Sequence, residues 1–178
     1  MKIRHIIPAF LILACSALFS CDAVKSLADV NIDTTASMLF VVSETAVNTG
    51  GKTYSSTQLL DLTTNSDVEQ YASKIKSFTV NKVTYSISPG ANPNTVLFTN
   101  GTLTIVSSGT TVASASSVSL TTTSETQLTT NTAGFTELAT KLLADRQEQI
   151  QLQGTLSSTP VAFTFVVHFY FTIHANAL

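Results

Sequence analysis

Residues 161–175 read VAFTFVVHFYFTIHA, and the alternation in this stretch decides the fold class. Val161, Phe163, Phe165, Val167, Phe169, Phe171 and Ile173 occupy one parity without interruption. Ala162, Thr164, Val166, His168, Tyr170, Thr172 and His174 occupy the other. Period-2 patterning over this length identifies a strand with one face fully apolar and the other mixed. At ~3.3 Å per residue it is long enough to form the central strand of a core.

Six further segments carry strand signals and are expected at 37–44, 53–62, 77–88, 95–106, 112–120 and 149–156. The 95–106 segment contains Asn100-Gly101, which permits two readings. A type I′ hairpin turn would pair Phe98 with Leu103 and Val96 with Ile105, while a glycine bulge would leave one long strand. Gly50-Gly51-Lys52-Thr53 resembles the tail of a phosphate-binding loop, but Ala46 stands where that pattern requires glycine and a strand follows, so a hairpin loop is expected.

Two helical segments interrupt the strands. Val68, Tyr71, Ala72 and Ile75 fall at i, i+3, i+4, i+7, with Ser66 and Glu69 at capping-box spacing. Phe135, Leu138, Ala139, Leu142 and Leu143 repeat the pattern, with Asn131 or Thr132 as the cap and Glu137 spaced to pair with Lys141. Each helix follows the same tetrapeptide, Leu62-Thr63-Thr64-Asn65 and Leu128-Thr129-Thr130-Asn131. This reads either as a degenerate strand–helix–strand duplication or as coincidence in Thr-rich sequence. The expected architecture is mainly β: an antiparallel β-sandwich with two short amphipathic helices, the alternative being one curved sheet whose helices close an apolar cavity.

The amino terminus has a different character. Lys2 and Arg4 precede a mostly apolar run from Ile6 to Phe19, a length suited to a secretory signal and short of the ~20 residues a membrane-spanning helix needs. The run ends in Leu18-Phe19-Ser20-Cys21, and polar sequence begins at Asp22. This arrangement resembles a bacterial lipoprotein signal peptide with its lipobox: an aliphatic residue three before the cysteine, a small one directly before it. Ile12-Leu13-Ala14-Cys15 is a second candidate with a shorter apolar run. The resemblance implies a signal peptide over 1–20, a lipidated Cys21 with a short tether over 21–34, and a single domain over 35–178. It also implies a bacterial cell-envelope location, at the outer membrane or cell surface, with the periplasmic face of the inner membrane as the alternative because Asp22 resembles a retention signal.

Chemistry is sparse. Charged residues are 11% of the chain against about 25% in typical soluble domains, and Ser and Thr supply roughly 28%. The net charge of −2 shows no basic stripe, which argues against nucleic-acid binding. No cysteine follows Cys21, so neither a disulfide nor a cysteine metal site is expected in the domain. His168 and His174 share a strand face but stand about 20 Å apart, too far to bind one metal. Asp67, Glu69 and Glu137 suit helix starts and helical pairing, and Asp145, Arg146 and Glu148 suit a solvated turn. No catalytic constellation, cofactor site or metal site is expected, and the chain reads as non-enzymatic. Asp33-Thr34-Thr35 resembles a bacterial O-glycosylation sequon, which would place a glycan on Thr34. Two functions fit: a lipid-anchored module that binds or assembles with an envelope protein or glycan, or a carrier or sensor of an apolar ligand such as a lipid. The second rests on the 44% hydrophobic content and on segments such as Met38-Leu39-Phe40-Val41-Val42, apolar on both faces.

Overall fold

A computed structural model describes residues 29–91 and 96–176. Cys15 and Cys21, with the whole apolar run before them, lie outside the described residues. Among the described residues nine strands and two helices follow in the order β1 (Asp29–Asn48), β2 (Lys52–Asp61), α1 (Ser66–Gln70), β3 (Ile75–Pro89), β4 (Leu97–Ile105), β5 (Thr111–Ser119), β6 (Thr126–Gln127), β7 (Thr129–Thr130), α2 (Thr132–Asp145), β8 (Gln147–Leu156) and β9 (Thr159–Asn176). They form two antiparallel sheets, a four-stranded one ordered β1-β9-β3-β6 and a five-stranded one ordered β2-β8-β4-β5-β7. This is a β-sandwich, and the single-sheet alternative does not describe it.

β9 is an inner strand of its sheet, with Phe40 of β1 opposite Phe165 and Val83 of β3 opposite Phe169. Its apolar parity is buried from Val161 to Ala175. Each such aliphatic or aromatic side chain stabilises the fold by about 1.5–3 kcal/mol. Phe165 stacks on Tyr85 from its own sheet at 5.2 Å and meets Phe98 from the facing sheet at 5.6 Å, so the aromatic seam joins the two layers.

The seat of Phe98 explains Asn100-Gly101. β4 runs through both residues as one strand, with its register on β8 shifting between Thr99 and Thr102 and with Asn100 at φ 51°. The bulge reading therefore holds over the hairpin. It sets Gly101 beside the Phe98 ring, and Gly154 of β8 lies against the tip of the same ring. A Cβ on Gly154 would stand 2.3 Å from Phe98 Cζ, so the ring occupies the space that a side chain there would need.

β1 is much longer than the 37–44 segment the apolar pattern marks, and its start at Asp29 takes in residues assigned to a tether. The cause is β9: paired from Asp29↔Asn176 to Glu44↔Val161, it templates a strand through the polar Asn31, Asp33 and Thr35. α1 departs from expectation in the other direction. Ile75 opens β3 by pairing with Ala175, and the intervening chain turns through Ala72 N–H to Glu69 O and Lys74 N–H to Tyr71 O. Strand pairing overrides the helical spacing of Tyr71, Ala72 and Ile75.

The two tetrapeptides make the same local structure. Leu62 and Leu128 are buried, and Asn65 and Asn131 cap their helices, each side-chain oxygen accepting from two backbone N–H groups of the first turn. The cap of α1 is thus Asn65, one residue before Ser66. Beyond the caps the halves diverge. α1 has 5 residues and joins β2 to β3 across the sheets, whereas α2 has 14 and joins β7 to β8 within one sheet. The Arg146 guanidinium at the end of α2 donates to Ala72 O beyond α1, tying the two helical segments together.

Candidate interaction surface

The outer face of the four-stranded sheet collects the side chains that the core does not use. Along β9 these are the residues of even number, and they divide the face into two halves. In one half hydroxyls, amides and imidazoles form a series of local hydrogen-bonded clusters. Thr172 Oγ1 donates to Asp33 Oδ1 at 2.6 Å, and Asn81 Nδ2 donates to Thr172 Oγ1 at 2.9 Å. His174 is held at both ring nitrogens, by Asn31 at 2.7 Å and Thr79 at 3.0 Å, and His168 Nδ1 meets Ser37 Oγ at 2.8 Å. The two histidines are braced separately and share no ligand. Among the described residues no group of three His, Cys, Asp or Glu could hold a metal ion.

Glu125 is the residue of this face that sequence reasoning missed, since it belongs to a loop and to no motif. Thr84 and the Tyr170 phenol both donate to its Oε1. The Thr84 hydroxyl first, then the Tyr170 phenol, hold its carboxyl below the usual carboxylate range. In return the hydrogen bond to Glu125 pushes the Tyr170 phenol up. Lys82 Nζ sits 4.1 Å over the centre of the Tyr170 ring. Asp33, Asn81, Lys82, Gln127 and Tyr170 border a shallow polar depression of about 440 Å³.

Thr34 belongs to the other side of β1. Only 8% exposed, its hydroxyl is paired with the Asn65 side chain at 3.0 Å. A glycan on Thr34 would require breaking that pair and moving the residue out of its contact with the α1 cap. The charged groups near α2 are similarly local. Lys141 lies 3.9 Å from both Glu137 and Glu148, and Arg146 is engaged with Ala72. Gly50 and Gly51 form the β1–β2 turn, where Asn48 bonds both and Gly51 has φ 85°.

In the second half of the face these clusters give way to apolar side chains. Leu39 is 56% and Val41 67% exposed, and Val166 lies between β1 and β3 beside them. Leu39 and Val41 stand on β1, which ends the sheet: among the described residues no strand pairs with its far side. Two carbonyls on that side, Thr35 O and Val41 O, accept from Asn65 and Tyr54 side chains of other elements. The backbone groups of odd-numbered β1 residues therefore point away from β9.

A second apolar feature lies where α2 crosses β3. Phe78, Val80, Phe135, Ala139 and Leu143 line an open groove of about 390 Å³. Between the sheets, by contrast, a void of about 10 Å³ beside Leu103, Leu152 and Phe165 is too small to hold more than a water.

No protein-family model matches the chain, and no curated protein matches it. Among solved structures, one of turnip yellow mosaic virus aligns at 8% identity over 83% of this chain and 94% of that one, with a TM-score of 0.41. One of desmodium yellow mottle tymovirus aligns at 7% identity over 84% and 90%, with a TM-score of 0.38. A structure of turnip yellow mosaic virus at 100 K aligns at 10% identity over 84% and 96%, with a TM-score of 0.31. Likenesses this remote assign neither family nor function.

Proposed function

We propose that this chain is a lipid-anchored protein of the bacterial cell envelope that works without catalysis, as a module that binds or assembles through the free edge of β1. The observation that carries this reading is the edge itself. It belongs to a strand of 20 residues with no lysine or proline in it, and its odd-numbered backbone groups face outward beside exposed Leu39 and Val41. An edge of that kind is a template for strand addition, in which main-chain hydrogen bonds supply affinity and alternate side chains supply selectivity.

The anchor reading rests on Lys2, Arg4, the apolar run and Leu18-Phe19-Ser20-Cys21. Seven residues separate Cys21 from Asp29, a tether of at most about 25 Å, so acylation of Cys21 would keep the beginning of β1 beside the bilayer. Metabolic labelling with an alkyne fatty acid tests it. Label is expected on the full chain and on Cys15→Ser, and its retention on Cys21→Ser would refute the assignment. Crosslinking the anchored protein in intact cells would then identify what meets β1, an envelope protein or a glycan.

A second reading, an apolar-ligand carrier, is favoured by the α2–β3 groove. Its ligand would lie in that open groove, since the space between the sheets is filled by side chains. Native mass spectrometry decides it: a reproducible extra mass, lost on denaturation and extractable into organic solvent, supports the carrier, and a clean protein mass with no uptake of added envelope lipid counts against it.

A further inference from the structure

The residues that face outward along β1 read, from Thr35 to Thr45 by odd number, Thr-Ser-Leu-Val-Ser-Thr. That row is the same in either direction in residue class. An antiparallel strand laid beside it with Phe40 opposite Phe40 would place Thr35 against Thr45, Ser37 against Ser43 and Leu39 against Val41. In this register both strands present their odd-numbered backbone groups to each other, as an antiparallel ladder requires. We infer that the partner of the β1 edge is a second copy of this chain, paired about Phe40 to continue the sheet across a two-fold axis. The inference rests on the edge-module reading of β1 and names its partner.

Three observations support self-pairing over addition of an unrelated strand. Cross-strand Thr–Thr and Ser–Ser pairs hydrogen-bond through their hydroxyls and aliphatic pairs pack, so each of these pairs stabilises antiparallel neighbours. The residues from Thr34 to Ser43 carry no charge, Glu44 falls opposite the neutral Ala36, and Asp33 falls beyond Glu44, where the regular register of β1 ends. Leu39 and Val41, exposed singly on one copy, would meet their counterparts across the axis and bury each other, which accounts for two aliphatic side chains on an otherwise hydroxyl-rich face. The Tyr54 and Asn65 side chains occupy one lone pair each of Val41 O and Thr35 O, leaving the second for a strand N–H. The axis stands normal to the sheet, so the two Asp29 ends leave in opposite directions. With both chains anchored in one leaflet, the paired strands would lie along the membrane plane.

The test uses the full chain in a mild detergent, followed by sedimentation velocity from micromolar to submicromolar concentration. The wild type is expected to dimerise, and Val41→Lys, which sets a cation against Leu39 of the second copy, is expected to weaken the dimer at least tenfold with an unchanged circular dichroism spectrum, and with an unchanged melting temperature only at dilutions where the wild type is itself monomeric. Ser55→Lys, an equivalent charge on the exposed face of β2, is expected to leave the dimer intact. In a dimer mixed from labelled and unlabelled chains, methyl contacts between Leu39 of one copy and Val41 of the other fix the register. A dimer insensitive to Val41→Lys, or one whose contacts join Leu39 to Leu39, overturns the inference. So does a monomer at every concentration. If Val41→Lys then abolishes crosslinking of β1 to a different envelope protein in intact cells, self-pairing fails and the edge module stands. If it changes nothing there either, both fail.

Discussion

The two sides of the four-stranded sheet treat their backbone in opposite ways. At the β3 side the edge is closed. α2 packs along the first part of β3, the two-residue β6 pairs with Thr84 and Tyr85, Leu128 N–H donates to Val83 O, and Ile87 N–H donates to Thr122 O. At the β1 side a strand of 20 residues has no pairing strand among the described residues, and no lysine, proline or bulge before Glu44; only the Tyr54 and Asn65 side chains bond to its edge. Helix cover, very short strands and loop bonds are the usual ways of hiding an edge. A fold that closes one side with all three, and meets the other with only the Asn65 and Tyr54 side chains, has an edge left accessible to a strand. The facing sheet's own long edge, β2, differs in degree: it exposes Leu59, but it also bears Lys52 beside Thr53, Ser55, Thr57 and Gln58 on its exposed positions.

Breaking the closed side should cost the most. Leu138 of α2 is fully buried, and Leu138→Ala is expected to destabilise the fold by about 2–4 kcal/mol in chemical denaturation. Because α2 is the cover of β3, that variant should also aggregate as it unfolds. Gly154→Ala tests the seam beneath both sides: the added methyl meets the Phe98 ring and should cost about 1–3 kcal/mol, with Gly101→Ala costing less because its nearest ring atom is 2.9 Å away rather than 2.3 Å. Next is the cap. Asn131→Ala removes the acceptor for Ala133 and Gly134 N–H and should cost about 1 kcal/mol, with Asn131→Asp retaining most of it. The same scan on the open side, at dilutions where the chain is monomeric, should show nearly nothing: Leu39→Ala and Val41→Ala are expected within about 0.5 kcal/mol of wild type, because both side chains face water in a single copy.

The outer-face network predicts a pH dependence of definite sign. A carboxylate held low in the folded state stabilises it above its unfolded pKa, and that contribution is lost as pH falls through the folded value. Glu125 belongs to this class, as do Asp61 and Glu137. Glu125→Gln should therefore flatten, without abolishing, the loss of stability below the usual carboxylate range. Tyr170 has the opposite sign: its raised phenol favours the fold below its unfolded value, and the benefit goes as pH climbs through the folded one. In Glu125→Gln the absorbance change at 295 nm should show one tyrosine ionising at lower pH than in the wild type. An unshifted alkaline titration would mean that Glu125 does not hold Tyr170 in solution.

Much of the core was legible because period-2 patterning is a local signal. β9 carries its role in its own residues, and the five segments behind β2, β3, β4, β5 and β8 were marked within about two residues of their ends. What escaped depends on distant chain. The first third of β1 is a strand because β9 extends far enough to pair with it, and nothing in Asp29 to Ala36 alone demands that. β6 and β7 are two residues each, below the length at which alternation can register. α1 stops early because Ile75 belongs to a sheet, a competition that helical spacing does not reveal. The exposed row of β1 is visible in the sequence once its parity is known, but only the sheet order shows that the row lies on an edge with no neighbour. Glu125 had no signal at all.

The central claim is that β1 is open in one chain and closed by another, and residue-resolved amide hydrogen exchange tests it most directly. Even-numbered β1 amides from Met38 to Val42, which point to β9, should be protected at all concentrations. The odd-numbered Leu39, Val41 and Ser43 should be protected in concentrated wild-type protein and should exchange rapidly on dilution or in Val41→Lys. Odd-numbered amides that exchange fast at every concentration would contradict the pairing. Odd-numbered amides protected even in the dilute variant would show that the edge is not open.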